Sequence, residues 1–184
     1  MIHCDSIYSV FPLAALACGL AGAVTDVQTR RIPNKLTGPA MLTGLVLHLA
    51  AGGWKECGSS FLALVLCGAL FLVFHLAGGM GAGDVKLIAA EACLLGLSNA
   101  SSLLLYTALS GGVMALALAI KRGRLRQTLN NVLVLTSHHG RSGLQPHPEL
   151  HVQNADNLRL PYALAIAAGC VLTILVQNSW KLGS

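Results

Sequence analysis

Six apolar runs, at 7–25, 37–51, 60–78, 85–98, 102–120 and 160–176, restrict the folds open to this 184-residue chain more than any other feature. Each is bounded by charge, by Gly and Pro, or by a polar cluster. The second and fourth fall short of the roughly 20 residues that a hydrocarbon core about 30 Å thick requires, so their ends are expected below the membrane surface. Composition points the same way: 54% of residues are hydrophobic, 10% are charged and the mean hydropathy is +0.67. That is too little charge to coat a water-facing globule. The chain therefore reads as all-α, a polytopic membrane protein with six transmembrane helices in a single domain over 1–184. A net charge of +5 invites a nucleic-acid reading, but the basic residues are spaced between apolar runs and aromatics make up only 5%. No nucleic-acid partner is expected; the lipid bilayer is.

The first run does not resemble a cleaved signal, because Met1–Ser6 carries Asp5 and no Lys or Arg. Leu16 also stands where cleavage before Cys18 would want a small residue. With the amino terminus outside, ten of the twelve basic residues fall on the inner side and only Lys55 and Lys181 remain outside. Six spans with both termini out make the connections 26–36, 79–84 and 121–159 cytosolic. The last of these is the one long polar stretch, basic at its start, and reads as a loop within the domain. Its histidines, His138, His139, His147 and His151, keep no recognised ligand spacing with Cys or carboxylate and read as solvated. Cys4, Cys18, Cys57, Cys67, Cys93 and Cys170 form no Cys-x-x-Cys pair and read as small packing residues. No metal or other cofactor is expected.

Ionisable groups at membrane depth ask for an explanation, since a central acid costs about 2.5 to 3.5 kcal/mol on insertion scales. Asp26 closes the first run and Asp84 opens the fourth. Glu91 lies seven residues beyond Asp84, nearly on the same helical face and about 10 Å deeper. In the orientation above, Asp26 and Asp84 share the cytosolic edge. Two carboxylates brought together share one proton: one ionises and serves as general base for a water, while the other hydrogen-bonds a scissile carbonyl. Gly81 and Gly83 would let backbone approach an extended peptide closely. Each element also has a plain structural reading, with Asp26 an interfacial charge, Asp84 an N-cap, and Arg30, Arg31 and Lys35 a topology signal. Glu91, among Ala89, Ala90 and Ala92, reads as a buried acid at a tight helix contact, hydrogen-bonded or protonated; a third acid lining a water cavity is the alternative.

Three stretches resemble a known signature. Asp26-Val27-Gln28-Thr29-Arg30-Arg31-Ile32-Pro33-Asn34 is similar to the D-x-x-x-x-x-I-P-N of the prepilin peptidases, the type IV leader peptidases. Gly81-Ala82-Gly83-Asp84-Val85-Lys86 is similar to their G-x-G-D-x-K, and Arg159-Leu160-Pro161-Tyr162 to the R-x-P-[FY] that opens their last helix. The resemblance runs over nearly the whole chain. It implies a GxGD aspartyl endopeptidase of the bacterial inner membrane, with its active site facing the cytosol, that removes the leader of type IV pilin-like precursors. Asp26 and Asp84 would be the catalytic pair, with Gly81 and Gly83 shaping the site. Lys86 would orient Asp84 or tune its pKa. Pro33 and Asn34 would fix the turn into the next helix, Pro by its restricted backbone and Asn as a cap. Arg159 and Pro161 would be structural or interfacial.

The departures from that family narrow the reading. Larger members carry paired Cys-x-x-Cys motifs associated with zinc and with methylation of the new amino terminus. No such pair is present here, which argues against a methyltransferase activity. The chain resembles the short subtype of tight-adherence pilus systems, whose precursors are Flp-type pilins and pseudopilins. The 121–159 loop is long for such a member and would recruit pilus-assembly proteins or be a tolerated insertion. Two readings of other classes stay open: a small membrane carrier with Asp26, Asp84 and Glu91 as a relay, and a non-catalytic component of a pilus or secretion machine.

Overall fold

The computed structural model describes residues 2–121, 123 and 162–183, and the side chains of those between 10 and 179. Nearly all of the polar stretch after Lys121, with its four histidines, Arg159 and Pro161, lies outside the described residues. Five helices make up the described fold: α1 (Ile2–Thr29), α2 (Asn34–Leu76), α3 (Ala82–Leu95), α4 (Leu97–Lys121) and α5 (Tyr162–Gly183). Of these described helices, α1, α2, α4 and α5 are the four long and apolar enough to cross a membrane. Among the described residues, this is an all-helical membrane protein.

The second and third apolar runs share one element. At 43 residues α2 would be about 65 Å long if straight, twice a bilayer core. Gly53 breaks it with φ 70° and ψ −157°, dividing it into the segments 34–52 and 54–76. Helical backbone resumes directly at Trp54, whereas the polar residues around Lys55 and Glu56 read as a loop in sequence. A helix satisfies its own amides and carbonyls whatever its side chains, so in lipid polar residues need not end it. Trp54, 83% exposed, sits at the bend, the kind of residue that anchors at a membrane interface.

α3 organises the rest. It has 14 residues, about 21 Å, and every residue from Leu87 to Leu95 is buried. α2 covers it most extensively, α1 lies along another side, and α4 and α5 complete the enclosure. Its far end stops inside the protein, where Gly96 (φ 79°) turns the chain at once into α4. The terminal carbonyls there would be orphans in an apolar medium. α2 meets them from both sides of its break: Ser60 Oγ donates to Cys93 O at 2.6 Å, and His48 Nε2 lies 3.3 Å from Leu94 O.

Side-chain size is distributed as lipid, not water, would favour. Ala15, Ala63, Cys67, Ala90, Ala92, Ala163 and Cys170 are buried, while Leu13, Leu42, Val46, Phe61 and Val113 are exposed. Lipid tails solvate large apolar groups as well as a core does, so packing is driven by small residues that let backbones approach. The buried Cys18, Cys67, Cys93 and Cys170 are free thiols and act as such small packing residues.

Candidate active site

The α1–α2 connection and the turn before α3 come together at one end of the bundle. α1 closes with Arg30 in the left-handed region (φ 53°), its amide bonded to Asp26 O at 2.8 Å. The chain then runs extended to Pro33, which starts α2. On the other side, Gly78 (φ 79°) reverses the chain after α2 and Gly81 caps α3. Contacts join the two stretches. A Cβ placed on Gly83 would lie 3.1 Å from Ile32 Cβ, so only a residue without one packs there comfortably. Lys86 Nζ donates to Asn34 Oδ1 at 2.9 Å.

Asp84 occupies the third position of α3, and the cap itself is Gly81. The Gly81 amide donates to Asp84 Oδ2 at 3.1 Å while the Asp84 amide donates back to Gly81 O at 3.2 Å. This is the reciprocal arrangement of a capping box. The Asp84 side chain is buried, and Asp26 is half-buried. Burial and the neighbouring Asp26 charge push the Asp84 carboxyl up to about 6, against the Gly81 amide and His75, which pull it down. The start of α5 closes the third side: the Ala163 backbone amide engages the Asp26 carboxylate, and Tyr162 lies within the field of Asp84. The sequence singled out neither Tyr162 nor Ala163 as a site residue, although both belong to the third resembling stretch.

Two residues do something other than expected. Asn34 does not cap α2: Pro33 stands at the N-cap position (φ −72°, ψ 139°) with no side-chain cap, and the Asn34 amide oxygen accepts from Lys86 instead. Lys86 in turn is exposed and reaches Asn34, and the charges acting on Asp84 are those of Asp26 and His75. Its role in the structure is to tie the two stretches together. His75 was missed. Its Nδ1 donates to Met80 O at 2.9 Å, bracing the glycine turn that leads to Asp84. The only sequence signal was a histidine just ahead of Gly78-Gly79.

Glu91 lies two turns deeper on α3, fully buried and away from this end. A cavity lies at the opposite end of the bundle. It measures about 1070 Å³ and is lined by Phe11, Leu16, His48, Glu56, Leu95, Asn99 and Gln177 among others, with none of Asp26, Asp84 and Glu91 among them.

This is a helical membrane protein in which acids from two different helices lie at one end, near enough for Asp84 to feel the charge of Asp26. The sequence model of the type IV leader peptidase family matches residues 13–116, a stretch that contains Asp26, Asp84 and both segments around them. The chain belongs to that family. It is 34% identical over 107 residues to a prepilin leader peptidase/N-methyltransferase of Neisseria gonorrhoeae, covering 54% of this chain and 37% of the relative. A relative of the same name from Burkholderia pseudomallei is 34% identical over 117 residues, 58% of this chain and 36% of its own. A prepilin peptidase of Methanocaldococcus jannaschii is 35% identical over 80 residues, 44% of this chain and 22% of its own. The chain thus spans little more than a third of the bacterial relatives it matches. No solved structure matches it.

Proposed function

We propose that this protein is a membrane aspartyl endopeptidase that removes the leader of type IV pilin-like precursors, with Asp26 and Asp84 as its catalytic pair. What supports the reading is the packing of the D-x-x-x-x-x-I-P-N and G-x-G-D-x-K stretches on one another, Gly83 against Ile32 and Lys86 on Asn34, which brings Asp84 within the field of Asp26 inside the part of the chain that matches the family. Asp84, desolvated and repelled by Asp26, holds the shared proton and hydrogen-bonds the scissile carbonyl. Asp26 accepts a proton from the attacking water, whose oxygen bonds to the carbonyl carbon. That proton then passes to the leaving nitrogen as the peptide bond breaks. Gly81 and Gly83 form a low strip beside Asp84 along which an extended precursor backbone lies. Lys86 and Asn34 hold that strip against the α1–α2 connection, and Pro33 sets where α2 begins.

The orientation that best explains the basic residues has six spans, counting the two segments of α2 separately and α3 as the short one. Both termini are then outside and the aspartates face the cytosol of the inner membrane. The precursor class is Flp-type pilins or pseudopilins, and the polar segment 121–159 is the place for pilus-assembly partners. The test is cleavage of a purified Flp-type precursor by the purified protein, read by gel shift and amino-terminal sequencing. Because Asp84 has to carry the proton, kcat/KM should decline with a one-proton slope as pH rises through about 6. A rate that climbs over the same range would reverse the roles of the two acids. The His75→Phe variant keeps the ring but loses the bond to Met80 O, and its kcat should fall about tenfold, the worth of one good hydrogen bond. Wild-type rates in that variant would show that the turn holds its shape without the imidazole.

A further inference from the structure

α1 and α3 run antiparallel, and three pairs of residues step down their shared face: Asp26 with Asp84, Gly22 with Leu87, and Gly19 with Glu91. The intervals mirror one another. Seven residues separate Asp26 from Gly19 and seven separate Asp84 from Glu91, two turns or about 10 Å on each helix. Gly22 is a notch for Leu87, since a Cβ there would stand 2.8 Å from both Leu87 methyls. Gly19 is a notch for Glu91, whose Oε1 lies where a Cβ would be. The Gly19 Cα–H that faces this oxygen is a weak donor of the kind that recurs at helix contacts.

Glu91 is wholly buried, and neither carboxyl oxygen has a hydrogen-bond partner. Cys18 and Cys170 lie within its field, and the Ala167 backbone closes the Gly19 notch. An ionised carboxylate without donor or cation does not suit such a medium, so the neutral acid is the form that fits. Its shape is specific to one alignment of the helices. A slip of one turn either way would set Glu91 against the buried Ala15, or Leu87 against Asp26.

We propose that Glu91, seated in the Gly19 notch, is a positioning residue that fixes the axial register of α1 and α3 and so the approach of Asp26 to Asp84. The proposal rests on the reading of those aspartates as a working pair. Gly19→Ala places a methyl where Oε1 sits. It should lower kcat for the Flp-type precursor about 100-fold, the penalty of an ångström-scale misplacement, with KM little changed. Adding Glu91→Asp keeps the acid but draws the carboxyl back by one methylene, which makes room for the methyl and should recover most of the loss. The isosteric Glu91→Gln should retain cleavage. A double variant as inactive as Gly19→Ala overturns the proposal, as does an inactive Glu91→Gln present at normal membrane levels, because the carboxyl proton would then be needed in its own right.

A second readout needs no activity. In a background with the native cysteines replaced by Ser, Asp26→Cys and Asp84→Cys should be joined by a short thiol-reactive cross-linker. The yield should fall several-fold with Gly19→Ala and return when Glu91→Asp is added. If that pattern holds while the wild type cuts no precursor, the register stands and the peptidase reading falls. If the yield ignores Gly19→Ala, the register falls whatever the activity.

Discussion

Asp26→Asn and Asp84→Asn should each reduce precursor cleavage by about a thousandfold or more, while both proteins accumulate in the membrane as the wild type does. That factor corresponds to about 4 kcal/mol of transition-state stabilisation. The amide is a sharp probe because it keeps the local structure. At position 84 an Asn oxygen can still accept the Gly81 amide that starts α3, and at position 26 it can still accept from Ala163. What is lost is the ability to ionise: at position 26 the base for the water, and at position 84 the acid proton offered to the carbonyl. A pair that shares a proton fails as a unit, so the double variant should be no worse than either single one. Residual cutting at a tenth of the wild-type rate in either variant would end the shared-proton mechanism.

Gly169→Val should be the most damaging change away from the site. The Cβ of any residue there would stand 2.6 Å from the Thr107 amide nitrogen and 2.7 Å from its Cα. Backbone cannot move aside as the tip of a long side chain can, so α4 and α5 would have to separate. Overpacking of this kind costs about 1 to 3 kcal/mol or more. In a bundle held by close backbone approach the loss propagates along the whole crossing. The purified variant should melt at least about 5 °C below the wild type and be poorly represented in the membrane. An unchanged Tm would mean that α5 is held by something other than its contact with α4.

Much of this arrangement was legible in the sequence, and the failures have physical causes. The apolar runs marked where helices would lie, since long uncharged segments leave a chain few alternatives in lipid. They did not mark where helices end. α1 continues four residues past its apolar run to Thr29, and α2 resumes at Trp54, because backbone satisfaction and not side-chain polarity decides continuity there. Asp26 and Asp84 stood out through the cost of an acid at depth and through the motifs around them. His75 did not, because a single histidine beside glycines carries no pattern; its meaning lies in a bond to the Met80 carbonyl that only the folded turn creates. Asn34 was misread as a cap because its partner, Lys86, is 52 residues away in the chain. The Gly19 notch was equally invisible, since it exists only where α1 meets α3.

The shortness of α3 bears on how well the membrane stays sealed. The cavity at the far end begins at Leu95, eleven residues from Asp84, so about 16 Å of helix, buried from Leu87 on, separates it from Asp84. With the bundle embedded as proposed, the transmembrane voltage falls across roughly half the usual 30 Å of insulation, and the local electric field is about doubled. The layer between the two ends holds Leu87, Ile88 and Leu94, all of them almost completely buried. If the proposed peptidase chemistry runs at one end of so thin a septum, substitutions in that layer should be judged by membrane conductance as much as by turnover.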